Sequence, residues 1–463
     1  MRGGPYEDGA PVTTLLQDLA VTCARPVPAA LRPRAARHLL DWLACAVAGA
    51  VSEPGRIARA TLADDGPAPL AGGGRASPRT AALVNGTLGN ALEMDDVHRT
   101  AILHPGPVVI PAALALGADA DALLDAIVRG YEAMIRVGQA VGPAHYARFH
   151  NTATCGPFGS AAAAASALAL EEATAVHALA NAGSTAGGLW QMRHEDTHTK
   201  QLHAGRAAEA GVTAALLAAE GFRGPVSLLE GPQGFLAGLC PDGDAGPIAA
   251  AYEGWLIEAV SFKPWPACRH AHPAIDAALA IRDRVPWDEL ERVRITTYRD
   301  ARTFCDRPDP AAPAEARFSL QHAVAVTLLR GPPDLDAFGP EAIADPDVAA
   351  LRARCDVRVA PHMTAAFPEH YRAEVSALGA LYAADPDRHR AGGVPVLASA
   401  RADDALGDPD RPLTDDHLRA KAVMLLTAGG YGDAAAERLC GATLALGEGG
   451  DLAAWSALVA EGP

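Results

Sequence analysis

From Val12 to about Glu258, Ala and Leu recur at three- and four-residue spacings, with Gly and Pro punctuating between segments. Such spacing puts an apolar stripe on one side of each segment and predicts a layer of helices. The expected helices are Ala35–Ala48, Pro111–Leu116, Asp121–Val141, Gly159–Leu170, Thr174–Ala182, Ala204–Glu220 and Pro247–Trp255. The texture changes near Phe262. Pro264, Pro266 and Cys268 precede one helix over Ala274–Arg284, and Glu291–Tyr298 then sets Val293, Ile295 and Thr297 in the two-residue alternation of a half-buried strand. Ser319–Leu329 reads as a helix, Asp356–Ala360 as a strand, and Asp385–Val396, rich in Pro, Gly and Arg, as turn. Pro412–Leu426 and Ala434–Leu446 are helical again. The pattern predicts a mainly α protein with a helical domain over 1–262, a smaller α+β domain over 263–395, and a return to the helical domain over 396–463. No repeat of solenoid period occurs.

With 463 residues, 49% of them apolar and 20% charged, the chain has the composition of a folded globular protein of two or three domains. Only 5% are aromatic, so the helices are expected to pack closely through alanine. The 39 Lys and Arg against 55 Asp and Glu give a formal charge of −16, which disfavours nucleic acid and anionic membranes as partners. Eight scattered cysteines without a C-x-x-C pair fit a reducing cytoplasm better than a disulfide scaffold or zinc ribbon. After Arg2 no apolar run follows, so the N-terminus does not read as a signal peptide, and no stretch is long enough to span a bilayer.

Two familiar motifs carry little. Gly72-Gly73-Gly74 lacks the strand-turn-helix setting of a dinucleotide loop and reads as a surface turn. His194-Glu195-Asp196-Thr197-His198 formally matches H-E-x-x-H, in which two histidines one helical turn apart grip zinc. It follows Gly187-Gly188 and is filled by poor helix formers, so a zinc hydrolase at His194 and His198 is only a distant alternative.

Three other segments gather ionisable groups. Glu93-Met94-Asp95-Asp96-Val97-His98, followed by His104-Pro105-Gly106, brings carboxylates and imidazoles within a few residues, which suits proton transfer. Lys200, His203 and Arg206 recur at i, i+3 and i+6, a knot of donors suited to an anionic substrate. Lys263-Pro264-Trp265-Pro266-Ala267-Cys268-Arg269-His270-Ala271-His272 is the third, with a proline-stiffened linker as its plainer alternative.

Together with Asn85-Gly86, Gly130-Tyr131-Glu132, Phe149-His150-Asn151-Thr152 and His272 through Asp276, the order and spacing of these segments resemble the MmgE/PrpD family. That family includes 2-methylcitrate dehydratase, cis-aconitate decarboxylase and an iminodisuccinate epimerase. The resemblance implies a large helical domain built from both chain ends, an inserted α+β lid, a homodimer, and a pocket between the two domains. It implies no metal and no cofactor. Carried over, His104, Lys200, His272 and Glu93 are the catalytic candidates, with Glu93 where relatives usually have an aspartate. Asp96, His98, His150 and Thr152 are expected to contact substrate, as are His203, Arg206 and His322. Val97 stands where a hydroxyl residue is common, and His322 where the decarboxylase commonly has tyrosine.

The expected reaction is dehydration of a hydroxylated di- or tricarboxylic acid, with decarboxylation or epimerisation on the same scaffold as alternatives. His104 and His272 would act as base and acid from opposite domains, Glu93 would orient one imidazole, and Lys200, with His203 or Arg206, would steady the developing dianion.

Overall fold

The computed structural model describes residues 13–62, 64–195, 197–380 and 395–463. Helices dominate. The longest, Ala120–Ala140 and Thr199–Ala219, pack with Asn151–Ala167, Pro78–Gly89 and Gly106–Leu116 around one apolar core. Alanine and glycine faces let these helices approach closely. Where Thr199–Ala219 crosses Pro78–Gly89, a Cβ added at Gly205 would lie 2.3 Å from the Leu83 carbonyl oxygen, so only glycine fits. The same core receives Leu418, Leu425, Leu426 and Leu439 from the C-terminal helices Asp415–Ala428 and Asp433–Ala445.

A second core forms around a four-stranded sheet, ordered Cys355–Val359, Arg292–Thr297, Ala373–Leu378 and Val396–Ala402. Its first pair is parallel and the other two antiparallel, and the helices His272–Ile281 and Leu320–Arg330 pack against it. Because Val396–Ala402 pairs along Ala373–Leu378, the inserted layer extends past residue 395 to Ala402. The turn expected over Asp385–Val396 lies outside the described residues except for its last two.

Some expectations shift for local reasons. The helix expected over Pro247–Trp255 is a single turn, Gly246–Ala249, and Gly254 at φ +101° breaks the chain before Trp255. The Pro111–Leu116 and Gly159–Leu170 segments start earlier, at Gly106 and Asn151, with Pro111 and Pro157 inside the helices. No helix among the described residues is long and apolar enough to cross a membrane, and the eight cysteines form no disulfide.

Candidate active site

The loop from Glu93 to His104 is fixed at several points. Glu93 and Ile102 both adopt left-handed backbone, φ 58° and 51°, a conformation that costs a non-glycine residue about 1 kcal/mol or more and is retained where surrounding contacts enforce it. Between them Val97 and His98 pair antiparallel with Ser261 and Val260, which docks the loop on the segment leading to Lys263. Asp96 is the buried anchor: its carboxylate accepts from Tyr131 Oη at 2.6 Å and the Gly106 N–H at 2.8 Å, and lies 2.7 Å from His38 Nδ1. Burial lifts the Asp96 carboxyl to about 6 despite those donors.

These anchors leave His104 oriented. Its Nδ1 lies 2.8 Å from the Asp95 carboxylate and 3.0 Å from the Asp96 carbonyl oxygen. Both neighbours are acceptors, so in the neutral ring Nδ1 carries the proton and Nε2 the lone pair. Asn90 Nδ2 donates to both Asp95 oxygens at 3.1 and 3.0 Å, and Thr152 Oγ1 accepts from the His104 backbone N–H at 3.1 Å. Burial pushes the Asp95 carboxyl up, but His104, Lys263 and Lys200 outweigh it and hold Asp95 far below the usual carboxylate range.

Two lysines converge on Glu93. Lys200, in the first turn of Thr199–Ala219, forms an ion pair with it, and Lys263 Nζ lies 3.7 Å from its other oxygen. Lys263 is fully buried and its Nζ has no hydrogen-bond partner among the described residues. Burial lowers the Lys263 pKa even against Glu93 and Asp95, whereas at Lys200 the same carboxylates overcome burial and raise it. Glu93 itself, which burial would raise, is held below its ordinary value by Lys200, Lys263 and His104. The result is an anion clamped by two ammonium groups beside an oriented imidazole.

From Glu93 and Lys200 a cavity of about 160 Å³ runs between the helical layer and the inserted layer. Trp190, Arg193 and Gln201 line it from the first, and Phe304, Arg307, Arg317 and Phe318 from the second. Four basic and four acidic side chains face it, so the crevice is charge-balanced and not uniformly positive as the Lys200 segment suggested. His104 is an electrostatic neighbour of Glu93 but does not itself line the cavity.

The other expected contacts divide sharply. His150 Nδ1 lies 3.3 Å from His203 Nδ1, and the His150 ring packs on Trp190; neither imidazole lines the cavity. Arg206 points elsewhere: it is exposed and pairs with Glu209. Six residues along an α-helix turn through about 600°, which leaves Arg206 about 120° away from Lys200. His272 does not reach the cavity. It is fully buried, its Nε2 donates to the Ala267 carbonyl at 3.1 Å, and burial, then Arg269 and Lys263, push its pKa well down. His322 is buried in the inserted layer, donating from Nε2 to Ala337 O at 2.8 Å. His98 is likewise buried, accepting from the Ala101 N–H at 3.2 Å.

His194 ends the short turn Trp190–His194 while His198 caps the following helix, so the two are not one turn apart on a helix. No three His, Cys, Asp or Glu side chains converge as a metal site among the described residues. Asp95, Lys263 and Arg317 are the site residues that sequence reasoning did not single out. Lys263 and Asp95 sat inside the segments that carried the resemblance; Arg317 lies outside all of them.

Against known proteins, the MmgE/PrpD N-terminal domain profile matches residues 19–247 and the C-terminal domain profile residues 265–445. Cis-aconitate decarboxylase from Homo sapiens is 32% identical over 314 residues, 62% of this chain and 63% of that protein. The Mus musculus enzyme of the same name is 31% identical over 320 residues, 64% of each chain. The cis-aconitate decarboxylase-like protein oryM from Aspergillus oryzae is 28% identical over 365 residues, 70% of this chain and 74% of its own. The match spans less than two thirds of the length of the human and mouse proteins.

Proposed function

The chain belongs to the MmgE/PrpD family, and we propose that it is a lyase acting on a small di- or tricarboxylic acid through a carbanion next to a carboxylate. The observation that carries this reading is the junction of an imidazole with a free Nε2, oriented by Asp95, and two lysines gathered on one anion. A substrate carboxylate takes the place of the Glu93 carboxylate between Lys200 and Lys263. His104 Nε2 then removes the α-proton, the electron pair moves into the carboxylate, and the ammonium groups stabilise the resulting dianion. In dehydration the β-hydroxyl departs as water, taking the proton that His104 has just acquired. One imidazole therefore serves as base and acid, and His272 has no part in the step.

The names of the relatives favour a second reading, decarboxylation. There the carbon–carbon bond to carbon dioxide breaks, its electrons move into the conjugated carboxylate, and protonated His104 supplies the proton to carbon. No cofactor enters either course. A homodimer and a cytoplasmic setting complete the reading, the first checked by light scattering.

Incubation of purified protein with citrate-like, malate-like and unsaturated polycarboxylic acids, followed by mass spectrometry, tests the proposal. A product lighter by one water supports dehydration and one lighter by carbon dioxide supports decarboxylation. A product of unchanged mass and altered configuration points to epimerisation, and no reaction with any polycarboxylate contradicts the reading.

A further inference from the structure

Most charged groups on the cavity wall already have partners. Lys200 pairs with Glu93, Arg307 lies 3.9 Å from Glu315, and Arg193 stacks 4.8 Å over Phe304 and donates to His194. Asp306 accepts from Gln321 at 2.6 Å and pairs with Arg302 at 3.1 Å, while Glu195 accepts from Gln191 at 2.9 Å. Arg317 differs. Its Nε is buried without a partner, and among the described residues its guanidinium makes no side-chain hydrogen bond or ion pair.

The backbone around it is nevertheless well fixed. The Arg317 carbonyl accepts from the Cys268 N–H at 2.8 Å, tying it to the segment that carries Lys263, and its own N–H donates to Pro313 O at 3.1 Å. The adjacent Phe318 ring lies 5.9 Å from Lys200 Nζ, giving the cavity an aromatic flank beside that ammonium group. Burial lowers the Arg317 pKa, opposed only from beyond ion-pair distance by Glu93, which is itself paired with Lys200. A partly buried guanidinium with no carboxylate in contact is unfavourable unless a ligand supplies one, and its planar fork matches a carboxylate in two hydrogen bonds. A cavity of about 160 Å³ lined by Lys200, by the Phe304 and Phe318 rings and by the unpaired Arg317 guanidinium suits a short carbon chain bearing more than one carboxylate.

We infer that Arg317 is a substrate-binding residue that takes a second carboxylate while Lys200 and Lys263 hold the reacting one, and that it sets the preference for di- and tricarboxylates over monocarboxylates. The inference rests on the carboxylate-lyase reading above and adds to it the residue that selects the substrate class.

Calorimetric binding of three acids with no leaving group, propane-1,2,3-tricarboxylate, glutarate and butyrate, tests it on wild-type protein and on Arg317→Gln, Arg317→Lys and Lys200→Met. Wild type is expected to bind glutarate and the tricarboxylate at least about tenfold tighter than butyrate. Arg317→Gln should erase that preference while leaving butyrate affinity within about twofold, and Arg317→Lys should retain part of it. Lys200→Met should weaken all three acids. If Arg317→Gln keeps the preference while Lys200→Met weakens all three, the inference falls and the lyase reading stands. Equal loss for all three acids in Arg317→Gln, with a lowered melting temperature, assigns Arg317 a structural role and also overturns it. Absence of binding by wild type to every acid removes the lyase reading and this inference together.

Discussion

An imidazole works as a base only through a nitrogen with an available lone pair, and the two acceptors around Nδ1 of His104 assign that role to Nε2. His104→Ala is expected to lower kcat by about 10²- to 10⁴-fold with unchanged circular dichroism and unfolding midpoint. Retained turnover in that variant would remove His104 from the chemistry. Asp95→Asn loses the charge that steadies the imidazolium, and the expected result is a kcat lowered by at least about tenfold with KM little changed. Lys200→Met should raise KM and lower kcat together; lost stability at unchanged specific activity would mark a purely structural lysine. At this scale the sequence was informative wherever the candidates lie within one loop or one helical turn, as for Glu93, His104 and Lys200, which the structure gathers in one cluster, while Asp95 in the same loop was passed over. It misplaced Arg206 because helical phase drifts over six residues, and His272 and His322 because burial within the inserted layer depends on packing that spacing does not encode.

Lys200 is presented to Glu93 by the start of a helix whose position depends on a close crossing. Gly205 lies one and a half turns beyond Lys200, where the Leu83 carbonyl and Thr87 Oγ1 each come within 2.3 Å of the place a Cβ would occupy. Gly205→Ala must therefore push the Thr199–Ala219 and Pro78–Gly89 helices apart, at a cost of roughly 1–3 kcal/mol. Chemical denaturation should show this loss together with reduced activity; an unfolding midpoint equal to wild type would contradict the crossing. Amphipathic helices such as Ala120–Ala140 were legible because their apolar stripe is long and regular. Val396–Ala402 was not, because its alanine-rich sequence carries little strand signal and its place is set by pairing with Ala373–Leu378.

Over the whole molecule, buried polar ties brace the site and link the two layers. Lys421, from the C-terminal helix Asp415–Ala428, pairs with Asp41 and donates to the Met94 carbonyl at 2.6 Å, so the last part of the chain braces the loop bearing Glu93 and Asp95. Arg269 pairs with Asp408, and Tyr371 Oη donates to Arg99 O at 3.1 Å. Many buried histidines make this assembly acid-sensitive. Burial pushes His98 and His270 down to about 3 and His322 to about 4, and it lowers His38, His150 and His272 as well. These groups stay neutral when folded but protonate when unfolded, so their contribution is complete above about pH 6.5 and declines as pH falls towards 4, by up to roughly 1.4 kcal/mol per pH unit each. Asp41 and Asp96, raised to about 6 by burial, act in the opposite sense over much of that window, as do Asp276 and Asp300, but with His145 and His203 also lowered by burial they are four against eight. The denaturant midpoint is accordingly expected to be lower at about pH 5 than at about pH 7.5; an equal or higher midpoint at the lower pH would contradict this balance.

The central claim is that His104 moves a proton to or from the carbon beside a carboxylate held by Lys200 and Lys263. Its most direct test is reaction with polycarboxylic acids in deuterium oxide, with deuterium at that carbon measured by mass spectrometry in product and recovered substrate. Wild-type protein is expected to incorporate deuterium, and both His104→Ala and Lys200→Met to lose that incorporation. Incorporation at the wild-type rate in His104→Ala would contradict the claim.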